Sequence, residues 1–300
     1  KLIKSEQASK NIIKEFNPDV VIGFGGYVSG PVLEEAAKLH IPCCIHEQNA
    51  FPGITNKQLA KKVDKVMLTV EDAVRPLQPK HEVAVTGLPV RGELLNKSKA
   101  QARIELGIAD DTPLVLSFGG SLGAAPLNDA MFDILKENAI TSKAYHIHSV
   151  GTNGMEYLKK FEAEGFIKRS DNVLYKGKSE VRLYIDNMDT CMAAADLVVG
   201  RAGASSLSEI EAMGKASVLI PSPYVAENHQ YHNAMALVNR NAARILEEKD
   251  LTTESLKELI DSLLSDKDEL HKIENNASDM AILDSAERIS DIIVSLAKGN

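Results

Sequence analysis

Short apolar runs recur along the chain, and helical segments separate them. The strand-length runs with this pattern are 19–24, 41–45, 66–70, 83–86, 113–118, 146–150, 173–175, 197–199 and 217–220. Runs that are apolar on both faces and alternate with helices are typical of parallel sheets covered by helices on each side. The pattern therefore predicts an α/β chain, with ligands at the carboxyl ends of its strands.

The runs fall into two series, separated by a polar helical stretch at 96–111 where we place an inter-domain linker. A length of 300 residues suits two domains of ordinary size. The predicted domains are 1–96 together with a C-terminal helix at about 284–300, and 97–283. Both are expected to be doubly wound, and the cleft between them is the natural ligand site.

The end of the chain is predicted to be helical after Asp250, because its apolar residues recur at helical spacing. The two apolar stripes are Leu256, Leu259, Ile260, Leu263 and Leu264, and then Ile289, Ile292, Ile293 and Leu296.

Composition excludes several classes of protein. A formal net charge of −8 argues against broad nucleic-acid binding, which needs a basic surface. No apolar stretch approaches the ~18 residues of a membrane span, and we find no signal peptide. Cys43, Cys44 and Cys191 show no metal-ligand spacing, so we interpret them as buried thiols in a reducing cytosol.

Two strand-to-helix loops have the small residues that let a backbone approach a phosphate. The first is Gly119–Ala124, which is neither G-x-G-x-x-G nor a Walker A loop and so argues against NAD or ATP. The second is Gly200–Glu209, where Glu209 lies one helical turn after Ser205 and is placed to accept hydrogen bonds from ribose hydroxyls. The alternatives are a tight turn without a ligand, and an acidic residue that stabilises the helix dipole.

Three further segments carry polar groups in suitable places. His46-Glu47-Gln48-Asn49 ends a strand and is a candidate ligand-reading loop, Arg91 follows a rigid turn, and Gln230 and Asn233 open a helix. The alternatives are a polar turn, a surface ion pair and an ordinary helix start. His229 and His232 are spaced for a metal, but no third ligand is nearby, so we predict no metal site.

In this order, the motifs resemble those of the MurG family, the undecaprenyl-pyrophospho-muramoyl-pentapeptide N-acetylglucosaminyltransferases. The resemblance extends from about residue 15 to the end, and its matching stretches are 25–31, 46–49 with 55–57, 87–91, 119–124, 202–209 and 230–234. It implies a GT-B fold with two Rossmann-like domains, the first of them incomplete here. It also implies an inverting transfer of N-acetylglucosamine from UDP-N-acetylglucosamine to the C4 hydroxyl of lipid I, which forms lipid II.

The resemblance also implies roles for individual residues. Asn49 is expected to contact the N-acetylglucosamine, Arg91 and Ser121 the diphosphate, and Ile185 the uracil through its backbone. Glu209 is expected to hold the ribose, and Gln230 the sugar hydroxyls. The residues expected to cradle the phosphates are Ala204, Ser205, Ser206, Leu207 and Ser208. No cofactor or metal is expected, because amides and arginine stabilise the leaving diphosphate in such enzymes.

The chain departs from the family pattern at its beginning. Family members start with a strand and a Gly-Gly-Thr-Gly-Gly-His loop, whose histidine is the usual candidate for the general base. This sequence opens instead on a helical pattern at Lys1, which predicts an N-terminally truncated chain. The catalytic residue is therefore left unassigned, and Glu47 is a weak substitute.

The expected acceptor is anchored in a membrane, so we expect a peripheral protein at the cytoplasmic face of the bacterial cell membrane. Lys57, Lys61 and Lys65 follow i, i+4 spacing and predict one basic stripe that could touch anionic headgroups. The alternative is a solvated helix face.

Three other functions compete with this one. They are another GT-B UDP-sugar lipid glycosyltransferase, a non-catalytic UDP-sugar-binding fragment that needs a further segment, and a nicotinamide dehydrogenase. The last predicts a G-x-G-x-x-G loop that neither strand end provides.

Overall fold

The computed structural model describes residues 2–108 and 111–299, with the side chains of residues 2 and 3 excepted. Residues 109 and 110, at the end of the predicted linker, lie outside this description. Its contacts divide the chain into two compact units. Unit 1 comprises Lys1–Pro89, Tyr224–Ala236 and Ile282–Asn300, and unit 2 comprises Val90–Pro223 and Leu237–Ala281. The predicted domain limits of 96 and 284 stay predictions.

The N-terminal part of unit 1 alternates helices with short strands. Its elements are α1 (Leu2–Phe16), β1 (Val21–Gly23), α2 (Ser29–Lys38), β2 (Cys43–Glu47), α3 (Ile54–Leu59), β3 (Lys65–Leu68), α4 (Val74–Leu77) and β4 (Val83–Val85). The strands pair in the order β1-β2-β3-β4, and every pairing is parallel.

The elements of unit 2 continue the chain with α5 (Gly92–Leu95), α6 (Lys99–Leu106), β5 (Leu114–Phe118), α7 (Ala125–Thr141), β6 (Tyr145–Ser149), α8 (Met155–Ala163), β7 (Ile167–Ser170), β8 (Val173–Lys176), β9 (Ser179–Arg182), α9 (Met188–Ala194), β10 (Leu197–Gly200), α10 (Ala204–Ala212) and β11 (Ala216–Leu219). The rest of the chain adds α11 (His229–Val238), β12 (Arg244–Ile245), α12 (Thr253–Ser265), α13 (Lys267–Met280) and α14 (Ser285–Ala297). Short 3-10 helices lie at Glu71–Ala73, Ala226–Asn228 and Glu248–Asp250.

The sheet of unit 2 has the strand order β12-β11-β10-β5-β6-β9-β8-β7. All pairings are parallel from β12 to β9, whereas β8 pairs antiparallel with both β9 and β7. Every residue of β5, β10 and β11 is buried, as the continuous apolar runs predict. The parallel sheet of unit 1 and the mostly parallel sheet of unit 2 confirm the predicted fold class.

Each sheet is covered on both faces. In unit 1, α2 and α3 pack Leu33 and Leu59 on one face, while Ile289 of α14 packs against Cys44 and Met67 on the other. In unit 2, the larger core lies under α7, α8, α12 and α13, and a smaller cluster under α6 and α9 includes Ala102 and Ala193. The predicted apolar face of α12 is confirmed, because Leu256, Ile260 and Leu263 are buried.

The predicted basic stripe is not one helix face. Helix α3 ends at Leu59, Lys61 lies in the following turn, and Lys65 begins β3. By Asp64 the chain is bonded to β2: the Asp64 N–H donates to the Cys43 carbonyl, and its Oδ2 accepts from the Cys43 N–H at 2.8 Å. The prediction that Lys57, Lys61 and Lys65 form one basic stripe was therefore wrong.

The three cysteines are free and buried, as expected. Burial raises the pKa of the Cys43 and Cys191 thiols to about 11 and that of Cys44 to about 12. They are therefore neutral packing groups at physiological pH.

Candidate active site

Four neighbouring strands of unit 2 bring the predicted donor-binding segments to one edge of the sheet. Strands β10, β5, β6 and β9 are adjacent and parallel, so their carboxyl ends lie on the same side. The loop with Ser121 follows β5, the segment with Ile185 follows β9, and α10 follows β10. Binding of ligands at this edge is the rule for doubly wound sheets.

The glycines of the loop after β5 are required by the close approach of its own backbone. A Cβ on Gly119 would lie 2.5 Å from the Ala124 nitrogen, and one on Gly123, whose φ is +87°, would lie 2.0 Å from the Val150 carbonyl oxygen. The Thr152 N–H donates to the Ser121 carbonyl at 2.9 Å. The loop is thereby fixed against the end of β6, and Ser121 is exposed.

Helix α10 begins with backbone amides that a ligand could use. Its N-cap residue is Gly203, and among the described residues no side chain caps the helix. The first hydrogen bond of the helix runs from the Leu207 N–H to the Gly203 carbonyl. The N–H groups of residues 204–206 therefore have no acceptor within the helix. Free amides and the positive end of the helix dipole make this end suited to an anion such as a diphosphate.

Two residues that were assigned to different parts of the donor are bonded to each other. Arg91 donates to Oε1 of Glu209 from both Nε, at 3.2 Å, and Nη2, at 3.0 Å. The Arg91 side chain is 56% exposed and that of Glu209 only 16%. The carboxylate is therefore held in place, whereas the guanidinium lies at the surface.

Ile185 lies in the segment that joins β9 to α9, and its side chain is buried. The segment is held at both ends, since the Leu183 N–H donates to the Asn172 carbonyl and Arg182 donates to Oδ1 of Asn187 at 2.6 Å. A rigid backbone of this kind is suited to reading a flat base through main-chain groups.

In unit 1, the first two residues of the polar segment 46–49, His46 and Glu47, are buried at the end of β2. Nε2 of His46 donates to the Gly87 carbonyl at 2.9 Å, and burial lowers the pKa of His46, so the ring is neutral. Glu47 is 2% exposed. Its Oε1 accepts from the Asn49 N–H at 2.9 Å, and its Oε2 accepts from Nδ2 of Asn56 at 2.8 Å.

Asn49 itself is half-buried and lies against the start of α11, within unit 1. Nδ2 of Asn233 donates to Oδ1 of Asn49 at 3.0 Å, and Oδ1 of Asn233 accepts from the Ala50 N–H at 2.8 Å. Gln230 is half-buried and precedes Asn233 by three residues on the same helix. Two expected sugar contacts, Asn49 and Gln230, thus belong to one hydrogen-bonded part of unit 1.

The chain was compared with known protein families and with curated proteins. The glycosyltransferase family 28 C-terminal domain matches residues 114–291, and the glycosyltransferase family 28 N-terminal domain matches residues 1–68. A protein of Acetivibrio thermocellus is 43% identical over 290 residues, which is 97% of this chain and 76% of the relative. One of Bacillus cereus is 42% identical over 298 residues, which is 99% of this chain and 79% of the relative. Both are named as UDP-N-acetylglucosamine–N-acetylmuramyl-(pentapeptide) pyrophosphoryl-undecaprenol N-acetylglucosamine transferases, the second with the number 1.

The chain belongs to the MurG family. The crystal structure of Acinetobacter baumannii MurG is similar to it with a TM-score of 0.77 at 29% identity, over 98% of this chain and 78% of that one. A UDP-GlcNAc 2-epimerase from Neisseria meningitidis, bound to UDP-GlcNAc, has a TM-score of 0.65 at 13% identity, over 98% and 81% of the two chains. The second likeness shows a shared fold only.

For this MurG family member, the structure gives two residues contacts that sequence reasoning did not predict. Asn233 was expected to read sugar hydroxyls together with Gln230, and Glu47 was a weak candidate base. The structure makes both of them hydrogen-bond partners of the loop that carries Asn49. Buried carboxylates and amides need hydrogen-bond partners. A single sequence shows neither which polar residues are buried nor which residues they meet, so it could not reveal these contacts.

Within residues 2–108 and 111–299, the structure of this MurG family member has no helix long and apolar enough to cross a membrane.

Proposed function

We propose that the protein transfers N-acetylglucosamine from UDP-N-acetylglucosamine to the C4 hydroxyl of the muramoyl sugar of lipid I, forming lipid II in peptidoglycan synthesis. The observation that carries the proposal is the identity of 41–43% over nearly the whole chain to relatives named for this transfer. The edge of the unit 2 sheet supports it, because the loop with Ser121, the segment with Ile185 and the start of α10 follow neighbouring parallel strands there.

In this proposal, unit 2 binds the uridine diphosphate. The amides at the start of α10, in the segment Ala204–Ser208, and the exposed Ser121 receive the phosphates. The Glu209 carboxylate accepts hydrogen bonds from the ribose hydroxyls, and the backbone at Ile185 contacts the uracil. Arg91 lies beside Glu209 and supplies a positive charge to the diphosphate.

Asn49 and Gln230 of unit 1 contact the N-acetylglucosamine. Both offer amide groups, which can donate to and accept from sugar hydroxyls and the N-acetyl group. Hydrogen bonds from these two neutral amides orient the sugar without adding charge near the reacting carbon.

The transfer is a single displacement with inversion. The acceptor's C4 oxygen forms a bond to C1 of N-acetylglucosamine, the bond from C1 to the diphosphate oxygen breaks, and UDP leaves with the electron pair. Amides and Arg91 stabilise the negative charge that develops on the leaving group. We propose no cofactor and no metal for this step.

Glu47 is not proposed as the base that takes the C4 proton. Both of its oxygens accept hydrogen bonds from the protein: Oε1 from Asn49, and Oε2 from Asn56 and the Gly53 N–H. A buried carboxylate engaged in this way has no free approach for an acceptor hydroxyl. We therefore leave the catalytic residue unassigned.

We further propose that unit 1 contacts the cytoplasmic face of the cell membrane, where a lipid-linked acceptor is found. Tyr27 is 88% exposed and Ile54 61% exposed, and they line a surface depression together with Lys57 and Lys61. Exposed apolar side chains beside lysines suit an interface with anionic lipid, at about 1 kcal/mol per lysine.

Calorimetric titration tests the donor assignment. We expect saturable binding of UDP-N-acetylglucosamine, weaker binding of UDP-glucose, and a loss of about 10- to 100-fold in Glu209→Ala, since a hydrogen bond to a charged group contributes roughly 1.5–3 kcal/mol. Glu254→Ala, an exposed glutamate in the first turn of α12, is the matched control and should bind as the unchanged protein does.

Equal affinities for the two sugar nucleotides would favour a different UDP-sugar transferase. Unchanged binding in Glu209→Ala would exclude this carboxylate as the ribose contact. Formation of lipid II from lipid I and labelled donor, measured on the same protein, would eliminate a non-catalytic UDP-sugar-binding module.

A further inference from the structure

The loop after β2 is joined to α11 by a continuous set of hydrogen bonds through Asn49. On one side, Oε1 of Glu47 accepts from both the backbone N–H of Asn49, at 2.9 Å, and its Nδ2, at 3.2 Å. On the other side, Asn233 bonds to Asn49 and to the backbone of Ala50. All of these residues belong to unit 1.

These bonds determine which way each amide group faces. The Ala50 N–H can only donate, so the atom of Asn233 that it meets must be the oxygen. The nitrogen of Asn233 then faces Asn49 and requires an oxygen there. This leaves the Asn49 nitrogen facing Glu47, whose carboxylate can only accept. Neither the Asn49 nor the Asn233 side-chain amide can be rotated by 180° without placing two donors or two acceptors against each other.

Burial makes this arrangement rigid. Glu47 is 2% exposed and Asn233 is 3% exposed, so an unsatisfied group at either position would be costly. A second contact joins the same two segments: the rings of Phe51 and His232 stack with centroids 4.5 Å apart and planes 19° apart. The loop therefore cannot easily turn independently of α11.

Asn49 keeps capacity for a ligand after these bonds are made. Among the bonds of the described residues, one of its two amide hydrogens goes to Glu47 and one of its oxygen lone pairs accepts from Asn233. One hydrogen and one lone pair remain. A side chain with one donor and one acceptor in fixed positions matches a group that itself carries one of each, such as an acetamido group.

We propose that Asn233 and Glu47 are positioning residues that fix the amide orientation of Asn49, and that they thereby determine how tightly the N-acetylated sugar of the donor is bound. The proposal rests on the function proposed above and adds to it the residues on which its recognition of the sugar depends. Neither residue touches the sugar in this proposal, so their substitution acts through Asn49.

The experiment compares Asn233→Ala and Asn233→Asp by calorimetric titration with UDP-N-acetylglucosamine and with UDP. The aspartate is nearly isosteric and still accepts from the Ala50 N–H, but it places an oxygen against Oδ1 of Asn49. It therefore disturbs the amide orientation without leaving a cavity. The matched control is Asn138→Ala in unit 2, a buried asparagine that fixes a turn by bonds to both the N–H and the carbonyl of Ala144.

We expect both Asn233 variants to raise the Kd for UDP-N-acetylglucosamine about tenfold, the equivalent of one to two hydrogen bonds. The Kd for UDP, which has no sugar to recognise, should change by less than about twofold. Asn138→Ala should change neither Kd by more than this, although it lowers thermal stability.

Two results would overturn the inference. One is a Kd for UDP-N-acetylglucosamine that stays within about twofold in Asn233→Asp. The other is an equal loss for UDP, which would mean that the variants disturb the protein generally. A failure of the proposed function is distinguishable, because it appears in the unchanged protein as an absence of preference for UDP-N-acetylglucosamine over UDP-glucose.

Discussion

The ion pair between Arg91 and Glu209 allows the two proposed donor contacts to be separated. Both Arg91 bonds go to Oε1 of Glu209, and the guanidinium is more than half exposed. In the proposed function Arg91 serves the diphosphate and Glu209 serves the ribose. Replacing Arg91 by alanine removes the phosphate contact and at the same time releases the carboxylate that binds ribose.

The two effects have different sizes. A hydrogen bond to a charged group contributes roughly 1.5–3 kcal/mol, so loss of the guanidinium should weaken UDP binding by about 10- to 100-fold. An exposed ion pair contributes only about 0.2–1 kcal/mol. Freeing Glu209 from it should leave uridine binding unchanged or strengthen it by up to about fivefold.

Calorimetric titration of Arg91→Ala with UDP and with uridine measures both effects. Glu209→Ala is the counterpart, and it should weaken the two ligands alike because both contain ribose. Arg91→Lys keeps the charge but loses the planar fork, so its UDP affinity should fall between those of the unchanged protein and the alanine variant. The assignment fails if Arg91→Ala weakens uridine as much as UDP, since Arg91 would then act by holding Glu209.

Two further predictions concern unit 2. Burial raises the pKa of Glu211 from 4.5 to about 8. The folded protein therefore binds this proton more tightly than the unfolded chain does. The stability that the protonated carboxyl contributes is complete below pH 4.5 and is lost as the pH rises toward 8. Glu211→Gln mimics the neutral carboxyl at every pH. Urea unfolding should therefore show that the variant is more stable than the unchanged protein by about 3 kcal/mol at pH 7 and by about 1 kcal/mol at pH 5. A gain in stability that does not depend on pH would contradict this. Gly120 and Gly123 both have positive φ, but a Cβ meets nothing within 4 Å at Gly120 and the Val150 oxygen at 2.0 Å at Gly123. By the same assay Gly120→Ala should cost about 1 kcal/mol and Gly123→Ala at least about 3 kcal/mol, and equal costs would refute the clash.

The sequence was sufficient to predict the buried parallel strands, because their runs are apolar on both faces. Three strands were missed, and each lacks that pattern. All four residues of β7 are exposed, β9 has a single apolar residue among its four, and β12 has only two residues. Strands near the edges of a sheet need pairing partners rather than burial on both faces, and pairing partners are distant in sequence.

The candidate site also has features that the sequence predicted and features that it did not. The glycine positions and the start of α10 were predictable, since a turn that must accommodate close backbone contacts leaves glycine in the sequence. The basic stripe of Lys57, Lys61 and Lys65 did not form, because α3 ends at Leu59 and the chain is bonded to β2 at Asp64. Spacing of i, i+4 puts residues on one face only within a continuous helix, and the run at 66–70 already predicted a strand.

The loop His46–Asn49 shows why consecutive polar residues cannot be equated with consecutive ligand contacts. His46 uses its ring on the Gly87 carbonyl, and Glu47 uses both oxygens on its own loop and on Asn56. Only residues after the end of β2 are left partly exposed. Buried polar groups must be satisfied, so half of this motif is needed to hold the other half in place. Substitutions at His46 and Glu47 should therefore resemble substitutions in a binding site, although neither side chain is accessible to a ligand.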